Sequence, residues 1–204
     1  MKRLAEKNIN TPEWFNHVWT LEGIHRYDAV RLRALLDGMD ATKSLLDVGA
    51  GLNGAAQYAT QHGYPGRYTA LDFSEEARRR TLEITPTLDY QIGDALAMPF
   101  PDGAFDVVSC GELIEHFPSP EPLIKELFRV CKPGGAVLIS TLDAHCDAAQ
   151  VHTYPEHMVA WDSPEDLAQH FGPYGPTRAW VLGHYFMVEC RHWMCNTHQK
   201  EASE

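Results

Sequence analysis

The residues best placed to do chemistry in this chain are glycines, aspartates and histidines. Leu45-Leu46-Asp47-Val48-Gly49-Ala50-Gly51-Leu52-Asn53-Gly54 sets a short apolar run directly against a glycine-rich turn. Glycines let the backbone turn tightly and let a ligand approach the main chain with no Cβ in the way. A helix starting just beyond would present unsatisfied N–H groups to that ligand. The spacing is also G-x-G-x-x-G, the dinucleotide fingerprint, which by itself describes a plain structural turn equally well. Three aspartates add weight to it. Asp47 sits inside the apolar run, and a buried carboxylate needs partners. Amides of the turn and a cationic ligand group would supply them. Asp72 ends a second apolar run, at the place where an acid accepts hydrogen bonds from ribose hydroxyls. Gly93-Asp94-Ala95 follows a third run at the same edge.

Histidines form a second set. His116 is the candidate general base, because an unperturbed pKa near 6.5 leaves imidazole available at neutral pH. The alternative is that it lines a pocket or caps a turn. Glu112 and Glu115 are rival acids in the same segment, suited to contacting a ligand or a backbone amide. The long connection from Leu142 to Asp162 carries Asp143, His145, His152 and His157. It has no tight ligand spacing, and neither has the tail, whose C-x-H-x-x-C-x-x-H run from Cys190 to His198 matches no usual finger pattern. No metal is expected at either place.

The elements that must position these residues alternate short apolar runs with helical periodicity, the pattern of a parallel α/β sheet. Thr11-Pro12-Glu13 starts a first helix. Leu32, Leu35, Leu36 and Met39 fall on one face of a second. Strands are expected over 44–48, 68–71, 88–92, 105–110 and 136–141. Between them lie helices over 53–62, after Ser74, and around Leu123, Leu127 and Cys131, the last ended by Lys132-Pro133-Gly134-Gly135. Ser163-Pro164-Glu165-Asp166 combines an N-cap, a proline at N1 and an acid at N3, and that helix is expected to stop at Gly172-Pro173. The runs 177–182 and 185–190, joined by Gly183-His184, suit a closing antiparallel hairpin.

The bulk numbers bound the class. A chain of 204 residues, 44% hydrophobic and 22% charged, builds one sizeable core. The formal net charge of -11 argues against a general nucleic-acid surface. Arg78-Arg79-Arg80 reads as the solvated face of a helix. No apolar stretch approaches the about 20 residues that span a bilayer. Five cysteines without framework spacing fit reduced thiols in a cytoplasm.

Taken together, these motifs resemble the class I, Rossmann-like S-adenosylmethionine-dependent methyltransferases, in particular their small-molecule branch. The resemblance runs from about Ser44 to Thr141. It implies that Asp47, Gly49, Ala50 and Gly51 hold the methionine part of the cofactor, with Asn53 among the cofactor-binding residues. It implies that Asp72 is the ribose-binding acid, with Phe73 near the adenine and Asp94 and Ala95 at its edge. Phe105 to Phe117 resembles the fourth-strand motif, with Cys110, Gly111 and Glu112 facing the cofactor and His116 near the transferred methyl. Lys132 to Gly135 completes the set. Asn53 departs from the pattern, since many members carry glycine there.

The expected architecture is a three-layer α/β sandwich, a seven-stranded mostly parallel sheet with an antiparallel last strand and helices on both faces. Residues 1–43 would form a cap or acceptor wall, 44–192 the methyltransferase core and 193–204 a tail, all within one domain. Trp14 and Phe15 read first as ordinary packing of a helix onto the sheet. The expected function is methyl transfer from S-adenosylmethionine, leaving S-adenosylhomocysteine, to oxygen, nitrogen or carbon of a small molecule. No Asn-Pro-Pro-aromatic or Asp-Pro-Pro-aromatic motif follows the fourth strand; Cys110-Gly111-Glu112-Leu113 stands there. Alternatives are a methyltransferase acting on protein or nucleic acid, and a protein that binds the cofactor without catalysis.

Overall fold

The computed structural model describes residues 1–5, 7–21, 42–52, 54, 59, 66–145 and 155–194. The expected helix around Leu32–Met39, Asn53 and His152 lie outside the described residues; of the helix expected over 53–62 only Gly54 and Ala59 are described, and both are helical. In chain order the elements are β1 (Lys2–Arg3), α1 (Pro12–Leu21), β2 (Ser44–Val48), β3 (Arg67–Asp72), α2 (Glu75–Ile84), β4 (Asp89–Ile92) and β5 (Phe105–Gly111). They continue with α3 (Glu121–Val130), β6 (Cys131–Leu142), β7 (Val159–Ala160), α4 (Pro164–Ala168), β8 (Thr177–Leu182) and β9 (Tyr185–Arg191).

Seven strands form one sheet in the order β4-β3-β2-β5-β6-β9-β8. Pairings from β4 through to β6 are parallel, and β9 runs antiparallel to both β6 and β8. Interior parallel strands are covered on both faces and need apolar side chains on both. β2 meets that demand, with Leu45, Leu46 and Val48 all buried. Alternation along β3 separates the layers: Leu71 joins Leu46, Val108 and the buried face of α3, while Ala70 packs with Tyr90 and Leu82 on the α2 side. The spacing of Leu123, Ile124, Leu127 and Phe128 gives α3 one continuous buried stripe. Ser74 caps α2 as expected, its Oγ accepting the Ala77 N–H at 3.1 Å, with Glu75 and Glu76 in the first turn.

β2 pairs with β3 on one side and β5 on the other, so the chain winds outward to β4 and then returns. Ligands of such sheets bind beyond the strand C-termini where the winding reverses. Gly49, Asp72 and Glu112 follow or end β2, β3 and β5 at that edge.

Two expectations change, and a third feature was not foreseen. Lys132-Pro133-Gly134-Gly135 lies within the bounds of β6, whose register jumps from the Phe105–Cys131 pair to the Val107–Ala136 pair. Gly135 is pressed against the main chain there: a Cβ would lie 2.6 Å from the Asp106 carbonyl oxygen and 2.8 Å from that of Lys132. Second, α4 ends at Ala168, and the chain continues as a 3-10 turn over Gln169–Tyr174, through Gly172-Pro173. Ser163 caps α4 as read from the sequence, accepting the Asp166 N–H at 3.1 Å. Third, Lys2–Arg3 pairs with Val159–Ala160 as a separate two-stranded ribbon.

Candidate functional site

Gly49 and Gly51 follow β2 with φ of 72° and 52°, left-handed values that glycine adopts without strain. The N–H groups of Gly49 and Ala50 both donate to the Leu71 carbonyl, at 2.9 and 3.1 Å, which folds the turn over the end of β3. A Cβ on Gly49 would meet Leu113 Cδ2 at 2.7 Å. The Gly51 carbonyl accepts the Tyr90 hydroxyl at 2.8 Å.

Asp72 stands beside this turn, 8% exposed. One carboxylate oxygen accepts the Gly51 N–H at 2.9 Å and the other the Ser74 N–H at 2.8 Å. Burial pushes its pKa up to about 6 against these amides, with nearby Asp47 adding to the rise. These amides, with that of Phe73, therefore compensate only part of the desolvation. Each oxygen keeps lone-pair capacity for a further donor.

Asp47 accepts the Tyr68 hydroxyl at 2.6 Å and the Ser109 hydroxyl at 2.8 Å. Hydroxyls of the flanking strands are thus among its partners, which the sequence reading did not foresee. Cys110 is fully buried in the apolar core, so what β5 offers the cleft at that position is main chain. Glu112 has φ of 54°, and its Oε1 accepts the Ser140 hydroxyl at 3.0 Å. Asp94 is exposed in the turn after β4, where Oδ1 accepts the Leu96 N–H at 2.8 Å and Ala95 is half-buried.

Among the described residues, helix α1 docks chiefly on the start of α2. Asn16 Oδ1 accepts the Ser74 hydroxyl at 2.7 Å and the Glu76 N–H at 3.2 Å. This brings Phe15 against Phe73, ring centroids 5.5 Å apart, and edge-on to His116 at 5.4 Å. Phe15 therefore links the Asp72 loop to the His116 segment, a role the sequence reading did not give it. The Arg78-Arg79-Arg80 run is only partly a solvated face. Arg79 pairs with Glu76 and Glu83, Arg78 donates to the Tyr90 carbonyl, and Arg80 donates to the Trp19 carbonyl.

His116 lies in a 3-10 turn (Ile114–His116) just after β5. Burial lowers its pKa to about 4, against backbone carbonyls of Glu156 and Glu112 that favour the protonated ring. Its Nδ1 lies 3.1 Å from the Glu156 oxygen. The neutral imidazole is its form at pH 7. His157 packs against it, ring centroids 5.1 Å apart, and Glu115 completes a buried group that the sequence reading did not assemble. Glu115 and His157 stand 42 positions apart, so ligand spacing carried no signal; the adjacency of Glu115 and His116 was the one clue. Asp143 and His145 lie apart from it, with His145 exposed beside Asp162 at 3.4 Å.

Comparison with known proteins agrees with this geometry. A family described as a methyltransferase domain matches residues 46–139. The chain is 37% identical over 109 residues to a 2-methyl-6-phytyl-1,4-hydroquinone methyltransferase of Synechocystis sp., covering 52% of this chain and 34% of that protein. It is 29% identical over 178 residues to a ubiquinone biosynthesis O-methyltransferase of Idiomarina loihiensis, covering 83% of this chain and 72% of the relative. The chain thus spans about a third of the first relative's length. An S-adenosylmethionine-dependent methyltransferase of Aquifex aeolicus shares the fold with a TM-score of 0.65 at 17% identity, over 89% of this chain and 98% of that one. No described helix is long and apolar enough to cross a membrane.

Proposed function

We propose that this chain, which belongs to the class I S-adenosylmethionine-dependent methyltransferases, transfers a methyl group to a small-molecule acceptor in the cytoplasm. The observation that carries the reading is Asp72. A buried carboxylate, held by two amides and still pushed up to about 6, suits a vicinal diol that adds two O–H donors. The donor set therefore fits the ribose of S-adenosylmethionine. Gly49, Ala50 and Gly51 would present main chain to its methionine part, with Asp47 bracing β2 beneath them. Phe73, Asp94 and Ala95 would lie toward the adenine. Gly111 and the backbone of Cys110 and Glu112 would line the side nearer the acceptor. Asn53, outside the described residues, is assigned to the same turn.

When bound, the cofactor supplies a methyl group on a sulfonium, already activated for displacement. What this chain must add is position: nucleophile in line, water excluded. Phe15, Phe73 and the neutral ring of His116 form a connected aromatic wall suited to a flat acceptor. His116 is the residue assigned to take the acceptor proton in this reading: its imidazole is unprotonated at neutral pH, and the burial that lowers its pKa to about 4 makes it a weak base that must rely on close placement. The names of the relatives, a hydroquinone methyltransferase and a ubiquinone biosynthesis O-methyltransferase, support hydroxylated aromatics as the first acceptors to try. The Arg78-Arg79-Arg80 side chains are engaged within the chain, which favours a small molecule over nucleic acid.

The test is calorimetric titration of S-adenosylmethionine, S-adenosylhomocysteine and NAD into the wild type and Asp72→Ala. Binding of the first two, lost in the variant and absent for NAD, is the expected outcome. Binding of NAD alone would overturn the reading. With binding in hand, a panel of phenols and hydroquinones tests the acceptor class by release of S-adenosylhomocysteine.

A further inference from the structure

Behind the aromatic wall, Glu115, His116 and His157 bring a carboxylate and two imidazoles together, one ligand-type atom of each within 4.8 Å of the others. Glu115 is 2% exposed and His157 5%. Glu115 Oε1 lies 4.0 Å from His157 Nε2, longer than a hydrogen bond. The sequence brings His157 here from the far end of the long connection after β6, so local chain geometry does not explain the meeting.

The two segments are fastened to each other on several sides. The Met158 N–H donates to the Glu115 carbonyl at 2.8 Å. Asn10 Nδ2 donates to the carbonyls of both His116, at 2.9 Å, and Glu156, at 3.0 Å. The Glu156 carbonyl also faces His116 Nδ1. A backbone carbonyl on one ring nitrogen is the outer partner that commonly fixes the tautomer and orientation of a ligating histidine. The two segments that carry the three side chains are therefore tied together, and the His116 ring is oriented by a main-chain carbonyl. Glu112, in the same segment, is engaged with Ser140 and is not part of the group.

We propose that Glu115, His116 and His157 are a binding site for one divalent metal ion of the Zn²⁺ type. One carboxylate and two imidazoles suit a borderline cation that accepts nitrogen and oxygen, and do not suit Mg²⁺ or Ca²⁺, which call for oxygen all round. Bonds of about 2.0–2.2 Å require donor atoms roughly 3.4 Å apart. The present separations close to that by side-chain rotation of roughly an ångström. Three protein donors leave a tetrahedral position open, the arrangement of catalytic sites, in which the metal lowers the pKa of a bound hydroxyl. That last use, on an acceptor hydroxyl, rests on the methyl transfer proposed above; capture of the ion does not. With the ion bound, that use replaces His116 as proton acceptor, since Nδ1 faces the Glu156 carbonyl and the other ring nitrogen is on the metal.

The experiment is titration of the dialysed full chain with ZnCl₂ against a chromogenic chelator, repeated with Co²⁺ for its absorption spectrum. One equivalent per chain is expected, with a tetrahedral Co²⁺ spectrum. Glu115→Gln and His157→Gln should each weaken binding at least about tenfold, by analogy with losses seen even for outer-shell changes. His145→Gln and Cys195→Ser should leave it unchanged. S-adenosylhomocysteine affinity and melting temperature, measured on the same samples, separate loss of the metal site from misfolding and from failure of the cofactor reading. No stoichiometric uptake, or uptake that survives both cluster variants, overturns the proposal; uptake abolished by Cys195→Ser moves the ion to the tail and overturns it equally.

Discussion

Asp72 and Gly51 are joined by a 2.9 Å hydrogen bond from the Gly51 N–H to the Asp72 carboxylate, which locks the glycine-rich turn to the end of the neighbouring strand. The turn after β2 and the acid ending β3 are thus one unit. The same carboxylate fixes the entry of α2 by accepting the Ser74 N–H. Change at Asp72 is felt in the turn, in the helix cap and in the proposed ribose contact together.

Asp72→Asn should weaken S-adenosylhomocysteine binding by about two orders of magnitude. Hydrogen bonds to a charged group are worth about 1.5–3 kcal/mol each, and the neutral amide replaces one acceptor oxygen with a donor. Calorimetry at pH 7.5 measures this. Wild-type affinity in the variant would remove Asp72 from the cofactor site.

Asp72 and His116 should tilt the pH dependence of stability in opposite directions. The folded pKa of Asp72 is raised to about 6, so between about 4 and 6 the native state holds more protons than the unfolded one. Stability then falls as pH rises through that window. The folded pKa of His116 is lowered to about 4, so between about 4 and 6.5 the native state holds fewer protons and stability rises with pH. Each effect is of order 3 kcal/mol at full extent, and in the wild type they largely cancel. Asp72→Asn should leave a rising slope from pH 4 to 6.5, and His116→Gln a falling one from pH 4 to 6. Urea midpoints across pH 4–7.5 read both; parallel curves for the three proteins would contradict the two shifts.

Much of this was legible in the sequence. Strands 44–48, 177–182 and the caps at Ser74 and Ser163 follow from local chemistry: apolar runs with turn residues at their ends, and hydroxyls one residue before a helix. The position of Asp72 was legible for the same reason, since it ends an apolar run that follows the glycine-rich turn. The partners of Asp47 were not, because Tyr68 and Ser109 reach it only through strand pairing. Nor was the docking of α1 on α2, since the apolar pattern of Phe15 and Trp19 fits a sheet as well as a helix end. The Glu115–His116–His157 group depends on where a long connection returns, which neither periodicity nor spacing encodes.

Gly134 and Gly135 should respond very differently to alanine. At Gly134, φ is 79° and the nearest atom to a Cβ is Met194 Cγ at 3.4 Å, so the cost is the left-handed conformation alone, about 1–2 kcal/mol. At Gly135 the Cβ would enter the Asp106 and Lys132 carbonyl oxygens and Cys131 Sγ at 2.6–2.8 Å. Main chain cannot give way as a flexible side chain can, so the bulge between β5 and β6 must open. A loss of more than about 3 kcal/mol is expected, in the range of severe packing changes. Equal urea midpoints for the two variants would mean that the tight approach at Gly135 is not maintained.

Asn10 supplies the last prediction, because its amide spans the two segments of the proposed site. Nδ2 donates to the His116 and Glu156 carbonyls and also to Asn8 Oδ1 at 2.8 Å. Asn10→Ala leaves two part-buried carbonyls short of a donor, a loss of about 1–3 kcal/mol. The segment 155–158 should loosen with it, and the amide of Met158, which donates to Glu115 across the same gap, should exchange with solvent faster. Asn10→Asp should be worse than alanine, because it turns a carboxylate oxygen toward the two carbonyls where a donor stood. Hydrogen exchange followed at Met158 gives the expected order: wild type slowest, then alanine, then aspartate. Exchange at Met158 that ignores both substitutions would mean that the 155–158 segment is held by its own packing and that the N-terminal stretch is not its clasp.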